Sequence, residues 1–365
     1  MLDTQLGAML ETVMTTLGEA WTITLIGLAG GLVLGLAARL GRFCTLGMIE
    51  DVHYGHDRAR LWMWACALGA AMAVSFAAEA AGLIRLHQAI YLMNGFTLAG
   101  AAVGGLLFGY GMAQAGNCGY GMLARLGGGD LRAMVIAVVM GIAAYVALSG
   151  PLAALRARMF PFEPHPEAPQ GWAHWLGEAT GLAPWAIGGA LALVLILAAG
   201  TALARRGHWK ELFWAIVAGT AISSGFLGTA WVANTGFEPW LVQSHTFTAP
   251  VGDSIRYAMF ASGLQPDFAI GSVIGVVIGA FVGSLIRDGF RWEACDDPRE
   301  LKRQMGGAVL MGFGAVIAGG CSVGQGLSAL SLLSFHAPVV ALSIWLGAWL
   351  GLRQLIEGLG LAREV

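Results

Sequence analysis

Long uncharged apolar runs recur along the whole chain. A helix needs about 20 such residues to cross the hydrocarbon core of a bilayer. Nine runs qualify, at about 20–38, 61–78, 89–113, 133–155, 182–204, 212–233, 268–286, 305–320 and 336–352. After the third and eighth runs the sequence stays uncharged and glycine-rich, which predicts short re-entrant helices inside the membrane. We therefore expect an all-α polytopic membrane protein with about nine transmembrane helices.

Composition supports this fold class and excludes several functions. Of the 365 residues, 57% are apolar and only 12% are charged, whereas a soluble domain carries about a quarter charged residues. Mean hydropathy is +0.70. No basic stretch suggests nucleic-acid binding, no ATP-binding glycine loop is present, and nothing implies a cofactor. The expected surroundings are a lipid bilayer, with no nucleic-acid partner.

The lysines and arginines predict the orientation. If the N-terminus is periplasmic and the C-terminus cytoplasmic, 16 of the 20 basic residues fall on the cytoplasmic side and 4 on the outer side. Positive residues favour the cytoplasmic loops. This arrangement also requires an odd number of spans, as the nine apolar runs give.

The two glycine-rich breaks resemble each other. When residues 104–121 are aligned with 307–324, eight of 18 positions are identical, including Cys118 with Cys321. The two segments lie five spans apart, so their orientations should be opposite. We expect a single transmembrane transport domain, with an inverted repeat at about 20–155 and 212–352 and a connector span at about 182–204.

Three cysteines lie among glycines: Cys44, Cys118 and Cys321. The alternative is that each packs as a small apolar residue, as buried cysteines commonly do. A thiol is a weak donor and a soft acceptor, which suits a soft sulfur-bearing solute that must be bound and then released. Possible substrate contacts from flanking polar side chains are Asn117, Ser322 and Gln325. No catalytic residue and no metal ligand set are predicted.

Three motifs in order carry a resemblance to a known family. They are Arg42-Phe43-Cys44, then Asn117-Cys118-Gly119-Tyr120-Gly121, and then Gly320-Cys321-Ser322-Val323-Gly324-Gln325-Gly326. The sequence resembles the YeeE/YedE family of bacterial inner-membrane sulfur transporters over nearly its whole length. The resemblance implies thiosulfate import along a central path lined by Cys44, Cys118 and Cys321 through S–H hydrogen bonds. It also implies a TusA-like cytoplasmic sulfur carrier as a possible partner.

Other functions remain open at this level. The alternatives are transport of another sulfur or selenium compound, and a membrane thiol oxidoreductase or sulfurtransferase that uses the same cysteines. No Cys-x-x-Cys pair supports the enzyme hypothesis, and we expect a transporter rather than an enzyme. Cys66 lies in an ordinary apolar run and Cys295 in a charged loop, so neither is assigned to the path. Segments 156–181 and 234–267 carry no chemistry that the sequence reveals.

Overall fold

The computed structural model is almost entirely helical. It describes residues 14–95, 97–161, 163–164, 169–287, 289–294 and 297–358. Within these residues, eight helices are long and apolar enough to cross a membrane. The all-α polytopic class is therefore confirmed.

Fifteen named α-helices occur in the described part of the chain. They are α1 (Glu19–Leu40), α2 (Thr45–Glu50), α3 (Ala59–Ala80), α4 (Ile90–Met93), α5 (Leu98–Ala115), α6 (Gly119–Gly127), α7 (Leu131–Leu148), α8 (Ala153–Met159), α9 (Trp172–Thr180), α10 (Pro184–Arg205), α11 (Trp209–Thr235), α12 (Thr248–Phe260), α13 (Phe268–Ile286), α14 (Pro298–Ile317) and α15 (Ala337–Glu357).

Short irregular elements join these helices. Two π-helical segments, Asp51–Gly55 and Gly324–Ala329, follow the first and third cysteine motifs. A short 3₁₀ turn spans Leu86–Gln88, and the two-residue strands β1 (Asn94–Gly95) and β2 (Glu163–Pro164) pair antiparallel.

The predicted spans differ from the helices at three places. The run at 89–113 becomes a transmembrane helix only at Leu98, because Thr97 caps α5 by accepting a hydrogen bond from the Gly100 N–H at 3.1 Å. The run at 133–155 ends as α7 at Leu148. The run at 305–320 lies in α14, whose first turns carry four charged residues. The apolar remainder of α14 is shorter than the ~20 residues that a span needs. For this reason α14 is not one of the eight helices that are long and apolar enough to cross a membrane.

Glycine-rich faces hold the long helices close together. α1 packs against α13, and the main-chain atoms of each helix contact glycines of the other. A methyl group on Gly31 or Gly279 would overlap a carbonyl oxygen of the facing helix. Small residues spaced four apart permit this approach of two backbones in a membrane. The fold therefore depends on the absence of a side chain at these positions.

Helices of the two halves pack in corresponding pairs. α1 packs on α13 and α11 packs on α3; α5 packs on α15 and α14 packs on α7. α5 also packs directly on α14 at the centre of the protein. The short helices α2 and α12 begin at Thr45 and Thr248, which are 203 residues apart, the same offset that relates the two glycine-rich breaks.

Candidate functional site

Each cysteine of interest immediately precedes a short helical segment in the middle of the fold. Cys44 is the N-cap residue of α2 and Cys118 the N-cap residue of α6, while Cys321 lies three residues before a π-helical segment. The chain before Cys118 and Cys321 reverses at glycines with positive φ, Gly116 at 82° and Gly319 at 73°, whereas before Cys44 the positive φ of 58° belongs to Arg42. Only glycine adopts such a φ without steric cost.

A single amide side chain bridges the first two cysteines. The Cys44 thiol donates to Oδ1 of Asn117 at 3.3 Å, and the same oxygen accepts the backbone N–H of Cys118 at 2.9 Å. The Cys44 sulfur in turn accepts the N–H of Gly47 at 3.4 Å. Cys44 is partly exposed and Cys118 is fully buried. The path residues predicted from the first half of the chain thus lie side by side.

Cys321 is held by residues from the second half of the chain. Its sulfur accepts the backbone N–H groups of Phe247 and Gly324, each at 3.4 Å, and lies 3.4 Å from the hydroxyl of Thr246. Cys321 is 1% exposed. A buried sulfur with N–H donors around it sits where an anionic or polarisable group is stabilised.

The two groups of cysteines are joined through Phe247 and Ser322. Gly119, next to Cys118, packs against the carbonyl oxygen of Phe247, whose N–H donates to the Cys321 sulfur. The Ser322 hydroxyl accepts a hydrogen bond from the hydroxyl of Thr45 at 3.2 Å. The structure therefore brings the three cysteine motifs into one polar cluster, in which Cys118 and Cys321 are buried and Cys44 is partly exposed.

Gln325 lies beside this cluster and has spare bonding capacity. Its side-chain nitrogen donates to the carbonyl oxygen of Gly319 at 2.9 Å, while its Oε1 atom has no hydrogen-bond partner among the described residues. A buried amide oxygen without a partner is costly.

A wide basic cavity opens next to Cys44. Its volume is about 650 Å³ and it reaches Cys44 and Asn117. The arginines that line it are Arg39, Arg42, Arg60, Arg125 and Arg287. Two of them are neutralised in part, since Arg60 pairs with Asp51 and Arg125 with Asp130, each at 3.2 Å. We call this space the arginine cavity; its charge favours anions.

The structure also reveals residues that the motifs missed. Thr246 and Phe247 touch Cys321, and the Tyr120 ring lies 5.3 Å from the Phe247 ring. The 203-residue offset places Phe247 opposite Cys44, so the internal repeat could have identified it. Cys66 lies buried within α3, and Cys295 falls outside the described residues.

Comparison with known proteins establishes the family. A family described as Sulphur transport matches residues 40–350. The chain belongs to this family. Its helical membrane architecture and its cluster of thiols agree with membership of a sulphur transport family, and the matched region contains all three cysteine motifs.

Two relatives of the sulphur transport chain cover nearly its full length. The thiosulfate transporter TsuA of Escherichia coli K12 is 24% identical over 358 residues, covering 90% of this chain and 95% of the relative. The thiosulfate transporter TsuA of Spirochaeta thermophila is 27% identical over 344 residues, covering 90% and 97%. The resemblance to the YeeE/YedE family is thereby confirmed.

Proposed function

We propose that this protein imports thiosulfate across the bacterial inner membrane, and that the ion moves past Cys321, Cys118 and Cys44. The observation that carries the proposal is the hydrogen-bonded cluster that joins the three cysteine motifs and opens at Cys44 into the arginine cavity. Both relatives described above are thiosulfate transporters, which supports this substrate.

The chemistry of the cluster suits a weakly held sulfur anion. The terminal sulfur of thiosulfate is soft and accepts S–H hydrogen bonds, while its oxygens accept stronger donors such as the amide of Asn117 or the hydroxyl of Ser322. The hydrogen bonds that reach the Cys321 sulfur come from Thr246, Phe247 and Gly324 and from no arginine among the described residues, so no full positive charge traps the dianion at that thiol. Weak binding sites in sequence allow passage.

The arginine cavity is the proposed cytoplasmic mouth. It lies at the C-terminal end of α1, and in the predicted orientation that end is cytoplasmic. The N-terminus is then periplasmic, and the C-terminus is cytoplasmic provided that α14 crosses the bilayer together with the eight longer apolar helices. A wide basic cavity retains an anion that leaves Cys44, and it offers a docking surface to a TusA-like sulfur carrier. The two-half architecture with a connector at α10 is part of the same proposal.

Uptake of radiolabelled thiosulfate into cells lacking their own sulfate and thiosulfate importers tests the function. Wild-type protein should support uptake, and Cys118→Ala and Cys321→Ala should each abolish it at equal membrane abundance. Cys66→Ala is the matched control, because it removes a buried thiol outside the cluster. A tenfold excess of sulfate, which has no terminal sulfur, should not compete.

The outcomes separate the alternatives. Wild-type uptake that survives both alanine substitutions would contradict the thiol path. Correct membrane insertion without thiosulfate uptake would contradict the substrate and favour another sulfur or selenium compound. A persulfide found on a path cysteine during turnover would favour the sulfurtransferase alternative.

A further inference from the structure

We infer that Phe247 is the gate residue of the transport path, closing the three thiols off from the face opposite the arginine cavity. This inference rests on the proposed function, because it assigns a part to one residue of the same path. Three observations support the inference. They are the direction from which the chain around Phe247 enters the protein, the burial of the Phe247 ring, and the position of Phe247 relative to Cys44.

Two cavities mark the two faces of the protein. The arginine cavity includes Arg39, in the last turn of α1. A second cavity of about 750 Å³ includes Glu19, in the first turn of α1. A helix rises 1.5 Å per residue, so these ends lie about 30 Å apart, on opposite sides of a bilayer core. We call the second space the Glu19 cavity. Its described lining includes none of the three path cysteines.

The chain that carries Phe247 enters from the Glu19 cavity. After α11 ends, the N–H of Phe237 donates to the Glu19 carboxylate at 2.7 Å. The chain then runs inward to Phe247, the N-cap residue of α12, and α12 returns to the face where Tyr257 lines the Glu19 cavity. Phe247 therefore stands at the inner tip of a re-entrant hairpin.

Cys44 occupies the corresponding tip in the first half of the chain. Cys44 is the N-cap residue of α2, enters from the arginine cavity and lies 203 residues before Phe247. One tip carries a small thiol that is partly exposed; the other carries a phenyl ring that is 0% exposed. The path is therefore open at Cys44 and closed at Phe247.

Two anchored aromatic rings lie next to the Phe247 ring. The Tyr120 ring lies 5.3 Å away and its hydroxyl donates to the carbonyl oxygen of Leu34 at 2.5 Å. The His245 ring lies nearly parallel to Phe247 at 6.4 Å and is hydrogen-bonded to Ser272 at 2.6 Å. These rings span from α1 to α13. The backbone N–H of Phe247 also donates to the Cys321 sulfur, so the residue that carries the ring lies next to the innermost thiol.

Opening the path from the Glu19 cavity thus requires the Phe247 ring to move or to be removed. Because the ring stands beside Cys321, the access of a reagent to Cys321 from that face reports the state of the gate. The readout does not need thiosulfate, so failure of the gate and failure of the proposed substrate are distinguishable.

The test is cysteine labelling from each face in membrane vesicles of both orientations. The full chain carries Cys66→Ala and Cys295→Ala, and the probe is a cationic, membrane-impermeant methanethiosulfonate reagent. Labelled peptides are quantified by mass spectrometry. The face from which Cys44 reacts is the arginine-cavity face, so the assay assigns its own sides. Phe108→Ala is the matched control, since it removes an equally buried ring from α5.

Phe247→Ala should speed labelling of Cys321 from the opposite face at least tenfold, with wild type and Phe108→Ala unchanged. Phe247→Leu, which keeps most of the apolar volume, should raise the rate at least threefold and provides a second variant if the alanine variant does not accumulate. Unchanged Cys321 labelling in a folded Phe247 variant would overturn the inference. Rapid Cys321 labelling from that face in wild type would overturn it as well.

Discussion

A methyl group added at Gly121 should break the bridge between Cys44 and Cys118. Gly121 lies in α6 with its Cα against the side chain of Asn117, and a Cβ atom there would overlap the amide oxygen and carbon of Asn117. The amide must turn away. It then releases both the Cys44 thiol and the backbone N–H of Cys118.

The size of the effect follows from those two bonds. A buried N–H left without a partner costs ~1–3 kcal/mol. Replacing glycine by alanine within a helix returns roughly 0.5–1 kcal/mol. We expect Gly121→Ala to lower the free energy of unfolding by about 1 kcal/mol, while uptake falls at least tenfold because the Asn117 bridge between Cys44 and Cys118 is lost. A tenfold loss corresponds to ~1.4 kcal/mol.

Initial rates of radiolabelled thiosulfate uptake at equal membrane abundance, together with thermal unfolding in detergent, measure both effects. Gly306→Ala is the matched control, because it makes the same change in a helix at a position with open space around it. Gly306→Ala should leave uptake unchanged. Asn117→Ala should lose as much uptake as Gly121→Ala, and the double variant should lose no more than either. Additive losses in the double variant would refute the reasoning, since Gly121 would then act through something other than Asn117.

Two further predictions concern packing and the fourth described cysteine. Gly279→Ala should lower the unfolding temperature by several degrees and reduce accumulation, because its methyl group would overlap the carbonyl oxygen of Leu32 and push α1 away from α13. Gly189→Ala, at a position with open space around it, is the control. Equal stability of the two variants would contradict the close packing. Cys66→Ala should keep uptake within twofold of wild type although its thiol is 0% exposed, and a loss as large as that of Cys321→Ala would place the path elsewhere.

The sequence predicted the class of the protein and most of its helices because both depend on local composition. Uncharged runs of sufficient length find the spans wherever charged residues bound them. The uncharged run at 89–113 did not predict where the helix begins. No charged residue marks that boundary, which depends on the Thr97 cap. The run at 133–155 also extends too far, although Gly150 and Pro151 signal its end.

The glycine-rich setting of Cys44, Cys118 and Cys321 was visible in the sequence, as was the internal repeat that relates two of them. Tertiary structure alone brought Cys44 within reach of Asn117, and Cys321 within reach of Phe247. These partners are 73 and 74 residues apart. No local pattern encodes such distances, because they depend on how several helices pack.

The arginines and the gate residue also show which features the sequence predicts and which depend on tertiary structure. The positive charges near span ends predicted the orientation of the chain, and their sequence positions did not indicate that Arg39, Arg60 and Arg287 line one cavity. Phe247 lay in a segment without readable chemistry. Sequence by itself determined which residues are apolar, flexible or reactive, since these are properties of each side chain and its neighbours. Only the packing of distant helices decided which of them meet, because convergence arises from contacts made across the whole chain.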